Sequence, residues 1–242
     1  MSTIAIIPAR YASRRFPGKV LADRTGMPLI QHVYEQVRRA ELIERVLVAT
    51  DDRRIAEAVR AFGGEAVMTS GDHSNGTSRI AEVAATETAD LIANVQADEP
   101  EIEPSLIDAA IRCLDGHPEC PVSTLASPFA PDEDPADPNI VKVVLDAAGR
   151  ALYFSRAPIP HDRDEDAGRP PLKHLGMYVY RRTFLLEFAR LAPTPLERIE
   201  GLEQLRVLEH GHDIAVAVVD APYHGIDTPE QYDEFVARRA RH

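Results

Sequence analysis

The stretch that decides the fold lies at residues 4–19 and reads IAIIPARYASRRFPGK. Its first five residues form an apolar, isoleucine-rich run closed by a proline, which is typical of a buried strand in a parallel sheet. The loop that follows, residues 9–19, contains four basic residues and no acidic one. Because the strand directly precedes it, we expect the loop at the carboxyl end of that strand.

The charge of this loop is opposite to that of the rest of the chain. Residues 1–19 carry +4, from Arg10, Arg14, Arg15 and Lys19, whereas all 242 residues together carry −12. The other 223 residues therefore carry −16. A basic cluster on an acidic protein indicates a site for a small anion, and the alternative is an ordinary solvated surface.

The rest of the first half predicts alternating strands and helices. Strands are expected at 45–50, 65–68 and 91–95, and helices at 28–40, 53–61, 77–86 and 104–114. This β-α order is typical of a parallel sheet with right-handed crossovers. The fold class is therefore α/β, with a mostly parallel, Rossmann-like sheet flanked by helices.

The second half has a different pattern. It predicts a β-hairpin at 141–145 and 151–154, an irregular stretch at 155–173, strands at 175–180 and 214–219, and helices at 182–190, 196–209 and from 229. We interpret residues 1–242 as a single domain in which about 127–180 form a smaller antiparallel sub-lobe. Such an insertion commonly covers a pocket or forms a dimer contact.

Composition excludes several classes of protein. With 39 acidic and 27 basic residues, the surface does not suit a polyphosphate backbone, so no nucleic-acid partner is expected. No apolar run approaches the roughly 20 residues of a membrane helix, and no signal core follows Met1. Cys113 and Cys120 match neither a disulfide framework nor a zinc pattern. We therefore expect a cytoplasmic protein without a membrane partner.

The position of the basic loop points to phosphate, because ligands of open parallel sheets bind beyond the carboxyl ends of the strands. The loop is not a Walker A motif, since Val20 follows Gly18 and Lys19 and Ser13 replaces the first glycine. The chain also lacks a G-x-G-x-x-G motif, which counts against a dinucleotide-binding dehydrogenase. A phosphate site of another kind remains.

Two carboxylates are candidates for holding Mg²⁺ beside such phosphates. Asp98 follows the strand at 91–95 and is expected on the same edge of the sheet as the basic loop. Mg²⁺ is usually held by one or two carboxylates together with phosphate oxygens. The alternative for Asp98 is a capping or loop-stabilising role. Asp227 precedes Thr228, a good N-cap, and Pro229, a good first helical residue, so Asp227 itself is not needed for the cap.

The sequence resembles the 3-deoxy-manno-octulosonate cytidylyltransferases, also called CMP-Kdo synthetases, over nearly its whole length. The matching motifs occur in order: residues 7–19, ATDD at 49–52, HSNGTSR at 73–79, NVQADEP at 94–100, YFSRA at 153–157, HLGMY at 174–178, LEQLRVL at 202–208 and GIDTP at 225–229. The first loop alone fits many sugar nucleotidyltransferases, whereas the segments at 153–157, 174–178 and 202–208 are more specific.

The resemblance implies an α/β nucleotidyltransferase whose antiparallel sub-lobe mediates a homodimer. It implies a reaction of CTP with Kdo that gives CMP-Kdo and diphosphate for lipopolysaccharide assembly, with Mg²⁺ as cofactor. The roles implied by the matched motifs are triphosphate binding by Arg10, Arg15 and Lys19, cytidine binding by Ala9, Gly76, Thr77 and Arg79, Mg²⁺ binding by Asp98 and Asp227, and sugar binding by Gln96, Arg156, His174, Tyr178, Glu203 and Gln204. Of these, Arg10, Lys19, Asp98 and Asp227 are the implied catalytic residues.

The chain departs from the family pattern at a few positions. Ala97 stands where glycine is usual, the loop has Arg14, Arg15 and Phe16 where Thr-Arg-Leu is usual, and Tyr223 and His224 are larger than common. Because the family does not need a base at this position, Arg14 is expected to be dispensable. The departures leave 8-amino-Kdo open as the acceptor. The sequence is also compatible with a sialic acid cytidylyltransferase or with a non-catalytic nucleotide-binding module, and without the resemblance His174 would be interpreted as a core histidine.

Overall fold

The structure, a computed structural model, describes residues 1–12, 15–163, 171–220 and 225–241. The chain divides into two units, of which unit 1 comprises Met1–Asp108 and Tyr223–His242 and unit 2 comprises Ala109–Pro222. Arg14, Tyr223 and His224, three of the departures noted above, lie outside the described residues, as do residues 164–170 of the expected irregular stretch.

The secondary structure follows the predicted alternation. The strands are β1 Thr3–Ala9, β2 Arg45–Thr50, β3 Glu65–Met68, β4 Leu91–Asn94, β5 Val122–Pro128, β6 Lys142–Leu145, β7 Ala151–Ser155, β8 Leu172–Arg181 and β9 Ile214–Val218. The helices are α1 Leu29–Arg38, α2 Arg53–Ala61, α3 Gly76–Ala84, α4 Pro104–Asp115, α5 Arg182–Phe188, α6 Pro195–Glu200, α7 Leu205–Glu209 and α8 Pro229–Arg239. A short 3₁₀ helix covers Lys19–Leu21.

Unit 1 contains a parallel sheet in the order β3-β2-β1-β4. All seven residues of β1 are buried, as expected for a strand covered on both faces. Register pairs Ala9 with Thr50, and Ile6 with Asn94, so β1, β2 and β4 end at the same edge of the sheet. The prediction of a parallel sheet in the first half is confirmed, and the basic loop leaves from that edge.

Local sequence explains where the helices of unit 1 begin. The side chain of Asp52 accepts from the backbone N–H of Arg54 and caps α2, and Asn75 caps α3 in the same way through Ser78. Thr228 caps α8 in a capping box with Gln231, as its position before Pro229 predicted. Such a cap typically stabilises a helix by about 1 kcal/mol.

Unit 2 contains β5 between β8, which runs antiparallel to it, and β9, which runs parallel. The predicted hairpin is confirmed, because β6 and β7 pair antiparallel, and β6 also pairs with β8. Strand β5 was not predicted from the sequence. Its residues, VSTLASP, mix small polar and apolar side chains without a clear period. The strand pairs with β8 and β9, which come later in the chain.

The expected helix at 196–209 is wrong. Helix α6 ends at Gly201, which adopts a left-handed conformation with φ of 63°, and α7 begins only at Leu205. A glycine in this conformation is a common helix terminator, because residues with a Cβ are strained there. Glu203 and Gln204 therefore lie in the link between two short helices and not within one helix.

An apolar cluster in unit 1 fixes the end of the chain. Tyr232 and Phe235 of α8 pack with Leu29 of α1 and with Ile226, and Phe16 of the basic loop lies against the same cluster. Burying these large side chains stabilises the docking of α8, at about 25 cal/mol per Å² of apolar surface removed from water. The cluster thereby fixes the position of residue 226 and of its neighbour, Asp227.

Candidate active site

The centre of the site is the side chain of Lys19, a residue that is 8% exposed. Its Nζ donates to Asp98 Oδ2 at 2.6 Å, to the carbonyl oxygen of Ile226 at 2.8 Å and to Asp227 Oδ1 at 3.3 Å. The structure thus brings together Lys19, Asp98 and Asp227, as the sequence predicted from strand ends and the family motifs. An ammonium group has three protons, and here each has an acceptor.

The basic loop reaches this point through a tight turn at Gly18. Its φ is 73°, its N–H donates to the carbonyl of Tyr11 at 2.9 Å, and a Cβ built at Gly18 would lie 3.0 Å from the Tyr11 ring. A side chain at this position would therefore be strained both by the backbone conformation and by the contact. The Tyr11 ring is in turn covered by the guanidinium of Arg54, with Cζ 3.4 Å from the ring centroid.

Asp227 is placed by its backbone and not by a capping role. The N–H of Ile226 donates to the carbonyl of Asp98 at 2.8 Å, and the N–H of Asp227 donates to Gln231 Oε1 at 2.7 Å. Thr228 caps α8, and Asp98 lies six residues before α4 begins. Neither carboxylate caps a helix, so the capping alternative does not account for either of them.

Arg15 adds a second cation to the cluster. Its Nη2 lies 2.8 Å from Asp227 Oδ2, with the two side chains 64% and 47% exposed. Ion pairs this exposed contribute little to folding, typically about 0–1 kcal/mol. The charges of Lys19 and Arg15 thus compensate those of Asp98 and Asp227. Because its ion pair with Asp227 is weak, Arg15 can exchange this partner for a phosphate at little cost in free energy.

The donor set at this point fits a hard divalent cation. Asp98 and Asp227 converge on one ammonium group, and their side chains are 28% and 47% exposed, so oxygens of both remain accessible. Within the described residues no group of three or more His, Cys, Asp or Glu could hold a metal by itself. Two carboxylates without a full protein cage are the usual arrangement for Mg²⁺, which completes its shell with water and phosphate oxygens.

A second group of charges lines a cleft of about 370 Å³ beside the basic loop, bordered by Arg10, Tyr11, Asp51, Asp52, Arg54 and Arg79 among others. Arg10 Nη2 donates to the carbonyl of His73 at 2.8 Å, which ties the loop to the segment before α3. Burial, and then the charge of Arg79, lowers the pKa of Arg10. An anionic ligand would stabilise the charged guanidinium of Arg10 against both burial and the charge of Arg79. This environment therefore favours the binding of an anion.

Arg79 is fully buried but incompletely satisfied. Its Nη1 donates to Thr69 Oγ1, and its Nη2 lies 3.1 Å from Asp51 Oδ2. That contact is an ion pair without hydrogen-bond geometry, because neither Nε nor Nη2 has a hydrogen-bond partner among the described residues. Buried polar groups are normally satisfied, so Arg79 is an exception among the described residues, and the ion pair with Asp51 is the main compensation for its charge.

The remaining nucleotide candidates lie close in sequence to residues that border this cleft. Ala9 ends β1, and Gly76 and Thr77 form the first turn of α3, where a Cβ at Gly76 would lie 3.2 Å from the Pro8 ring. The close approach of α3 to the end of β1 therefore favours a glycine. Gln96 is half-buried, two residues after β4, and Ala97 is buried while Asp98 still reaches Lys19.

Of the sugar-binding candidates, Arg156 follows β7 in unit 2. Its Nε donates to the carbonyl of Glu200 at 2.7 Å and its Nη1 to the carbonyl of Pro138 at 2.8 Å. Both acceptors are neutral, so the positive charge of the guanidinium is oriented without being neutralised. A planar guanidinium with free donors suits a carboxylate ligand.

His174 and Tyr178 belong to β8 and lie in an aromatic group with Phe154. Ring centroids are 5.0 Å apart for Phe154 and His174, and 5.5 Å apart for His174 and Tyr178. Burial lowers the pKa of His174 to about 3, and His174 Nε2 lies 2.9 Å from Thr124 Oγ1. Burial also raises the pKa of Tyr178. Both side chains are therefore neutral hydrogen-bonding groups at ordinary pH.

Glu203 and Gln204 occupy the link between α6 and α7. A carboxylate oxygen of Glu203 lies 3.5 Å from Arg206 Nη2, and Gln204 is buried at the start of α7.

The sequence did not indicate Tyr11, Asp51 and Arg54 as site residues, although they line the cleft in unit 1. The ATDD motif at 49–52 was the only signal for Asp51.

Comparisons with known proteins agree over almost the full chain. A family model described as cytidylyltransferase matches residues 4–214. A 3-deoxy-manno-octulosonate cytidylyltransferase of Geobacter metallireducens is 53% identical, covering 100% of this chain and 99% of that protein. Another, of Syntrophotalea carbinolica, is 53% identical over 95% of both proteins.

A solved structure also matches. It is a CMP:2-keto-3-deoxy-manno-octonic acid synthetase complexed with CTP, 42% identical, with a TM-score of 0.95 and coverage of 100% of this chain and 99% of that chain. The mixed α/β fold, with a mostly parallel sheet flanked by helices, is thus shared with nucleotidyltransferases. None of the described helices is long and apolar enough to cross a membrane.

Proposed function

The chain belongs to the cytidylyltransferase family, and from that premise we propose that it transfers CMP from CTP to 3-deoxy-D-manno-octulosonate (Kdo). The products are CMP-Kdo and diphosphate, and CMP-Kdo serves lipopolysaccharide biosynthesis. The observation that carries this proposal is the ammonium of Lys19 held between Asp98 and Asp227 at the edge from which the basic loop leaves. Cations and carboxylates in this arrangement suit a triphosphate and its Mg²⁺.

In this proposal the triphosphate binds to Arg10, Arg15 and Lys19. Each of these cations now contacts a carboxylate or a carbonyl oxygen, and phosphate oxygens are strong acceptors for the same donors. Ala9, Gly76, Thr77 and Arg79 surround the cytidine. Support for that assignment comes from the cleft that Arg79 borders.

Mg²⁺ is the proposed cofactor, with Asp98 and Asp227 as its protein ligands. When bound, it would supply Lewis-acid stabilisation of the charge that develops on the phosphates. The chain's own residues orient the reactants, and Lys19 and Arg15 compensate the charge on the departing diphosphate. The anomeric hydroxyl of the acceptor attacks the α-phosphorus on the side opposite to the diphosphate. Phosphoryl chemistry of this kind depends mainly on positioning and charge.

The acceptor is assigned to Gln96, Arg156, His174, Tyr178, Glu203 and Gln204. The oriented, uncompensated charge of Arg156 suits the carboxylate of an acid sugar, and the neutral His174 and Tyr178 suit its hydroxyls. We further propose a single nucleotidyltransferase domain in residues 1–242, a cytoplasmic location, and a homodimer formed through the antiparallel sub-lobe at about 127–180.

Diphosphate release tests the proposal directly. The purified protein is mixed with Mg²⁺, one of the four nucleoside triphosphates, and Kdo, 8-amino-Kdo or a sialic acid. We expect release with CTP and Kdo, and none when Kdo is omitted. Equal turnover with ATP, or turnover of sialic acid alone, would refute the assignment, and binding of CTP without release would favour a nucleotide-binding module.

A further inference from the structure

Lys142 of β6 is a fully buried cation in unit 2. Its Nζ donates to the carbonyl oxygens of Asp137 at 2.9 Å, Ile140 at 2.7 Å and Arg156 at 2.6 Å. No carboxylate among the described residues forms an ion pair with it. Burying an ammonium group is costly unless its protons are bonded, and here three carbonyl oxygens satisfy all three.

The three acceptors come from two different parts of the chain. Asp137 and Ile140 belong to the loop before β6, and Arg156 follows β7. The Arg156 side chain makes a second link between the same parts, because its Nη1 donates to the carbonyl of Pro138. Lys142 therefore holds the loop at the position where it can accept from the Arg156 guanidinium.

A third link involves Glu200 of α6. Its carboxylate accepts from Ser155 Oγ at 2.7 Å and from the backbone N–H of Arg156 at 2.9 Å, while its carbonyl accepts from Arg156 Nε. The guanidinium is thus fixed through Nε and Nη1, and Nη2 has no partner among the described residues. One donor edge of an oriented cation is left for a ligand.

We propose that Lys142 is a positioning residue that orients Arg156 for the carboxylate of the acceptor. This inference rests on the proposed function for the identity of the acceptor, but the orientation itself is independent of it. A neutral side chain at 142 would leave the carbonyls of Asp137, Ile140 and Arg156 unpaired. The loop at 137–140 would then move, and Arg156 would lose its fixed geometry.

The test compares Lys142→Met with Lys173→Met. Lys173 is the register partner of Lys142 on β8, is 7% exposed, and pairs with the carboxylate of Glu133, which lies earlier in the same loop. It therefore anchors the start of the loop, whereas Lys142 holds the 137–140 part that contacts Arg156. Both variants remove a buried ammonium from neighbouring strands, so loss of stability alone affects both. We expect only Lys142→Met to raise the KM for Kdo, by at least about tenfold, with the KM for CTP within about twofold of the parent value.

A second readout does not require turnover. The Nε–H of Arg156 donates within the protein, so in ¹⁵N-arginine-labelled protein its exchange with solvent is expected to be slow, with Arg156→Lys used to assign the resonance. Lys142→Met should accelerate that exchange at least about tenfold and Lys173→Met less than about twofold. If the parent protein does not use Kdo, the proposed function fails while this exchange still decides the inference.

Two results would overturn the proposal: unchanged exchange of the Arg156 Nε–H in Lys142→Met, or equal effects of the two lysine variants on it. If Lys142→Met does not fold, Lys142→Gln replaces it, because the glutamine amide can still donate to some of the three carbonyl oxygens that Lys142 contacts. It should accelerate the exchange in the same direction but less, and no acceleration would refute the proposal.

Discussion

The Nζ of Lys19 lies 2.6 Å from Oδ2 of Asp98, although 79 residues separate them in the chain. This contact joins the loop after β1 to the segment after β4, and both strands are neighbours in the parallel sheet. The lysine is already desolvated and oriented before any phosphate arrives. When Lys19 exchanges a carboxylate oxygen for a phosphate oxygen, the protein therefore reorganises little. A preorganised cation of this kind favours electrostatic stabilisation of the transition state.

Removing the Lys19 ammonium should lower kcat/KM for CTP more than kcat/KM for the acceptor. Lys19→Met is expected to lower kcat/KM for CTP by about tenfold to a hundredfold, because a charge-assisted contact contributes about 1.5–3 kcal/mol. Arg15→Gln should lower it in the same range but leave the free energy of unfolding unchanged, since its ion pair is exposed. Steady-state kinetics with varied CTP would measure this, and Arg24→Gln, at another exposed ion pair, is the control.

Asp98→Asn and Asp227→Asn should each lower turnover by at least about a hundredfold, equivalent to about 3 kcal/mol of transition-state stabilisation. Asparagine keeps the size of the side chain but removes the charge that Mg²⁺ requires. Raising the Mg²⁺ concentration, or using Mn²⁺, should restore part of the loss. Asp233→Asn, at an exposed ion pair of α8, is the matched control. Near-normal turnover in either variant would remove that carboxylate from the metal site.

Gly18→Ala should destabilise the basic loop more than Gly26→Ala. Both glycines have a positive φ, of 73° and 84°, but only Gly18 has a close neighbour, the ring of Tyr11. The backbone strain that both variants share costs about 1–2 kcal/mol. The difference between their free energies of unfolding therefore measures the contact of the new Cβ with the Tyr11 ring. Urea unfolding would measure the stability, and we expect the KM for CTP to rise only in Gly18→Ala. Equal KM values would show that the turn does not shape the site.

The stability of the protein should fall between about pH 7 and pH 5 in a way that depends on His174. Its pKa in the folded protein is lowered to about 3, so the unfolded chain binds a proton over this range while the folded chain does not. The stability contributed by the neutral ring is present above about pH 6.5 and is lost as the pH falls. The resulting loss is about 2 kcal/mol by pH 5.

His174→Asn provides the comparison for that measurement. Urea unfolding at pH 7, 6 and 5 should show a steeper fall for the parent than for the variant, with the other titrating groups common to both. Parallel pH dependences would mean that His174 titrates normally in the folded protein.

The parts of the fold that sequence could predict are those with local signals. The isoleucine-rich β1 and the amphipathic α2 have patterns that need no distant partner, and both occur where expected. Strand β5 lacks such a period and depends on β8 and β9, which come much later in the chain. The expected helix at 196–209 failed because its apolar spacing continues across Gly201, whose backbone conformation ends it.

The candidate site divides in a similar way. Strand ends and family motifs indicated Lys19, Asp98 and Asp227, because residues that follow parallel strands meet at one edge. The burial of Lys142 had no such signal, since a lysine in a strand is ordinarily interpreted as exposed. Only the positions of three carbonyl oxygens, from Asp137, Ile140 and Arg156, account for it.

The carbonyl of Ile226 that accepts from Lys19 has a consequence for the order of events during biosynthesis. The parallel sheet of unit 1 is encoded within the first 108 residues, but this acceptor and Asp227 are translated more than a hundred residues later. A nascent chain that already contains β1 to β4 therefore has Lys19 and Asp98 without their closing partners. The charge cluster of Lys19, Asp98 and Asp227 is therefore completed only after the segment before α8 has been synthesised, and an incomplete polypeptide lacks the second carboxylate of the proposed magnesium site.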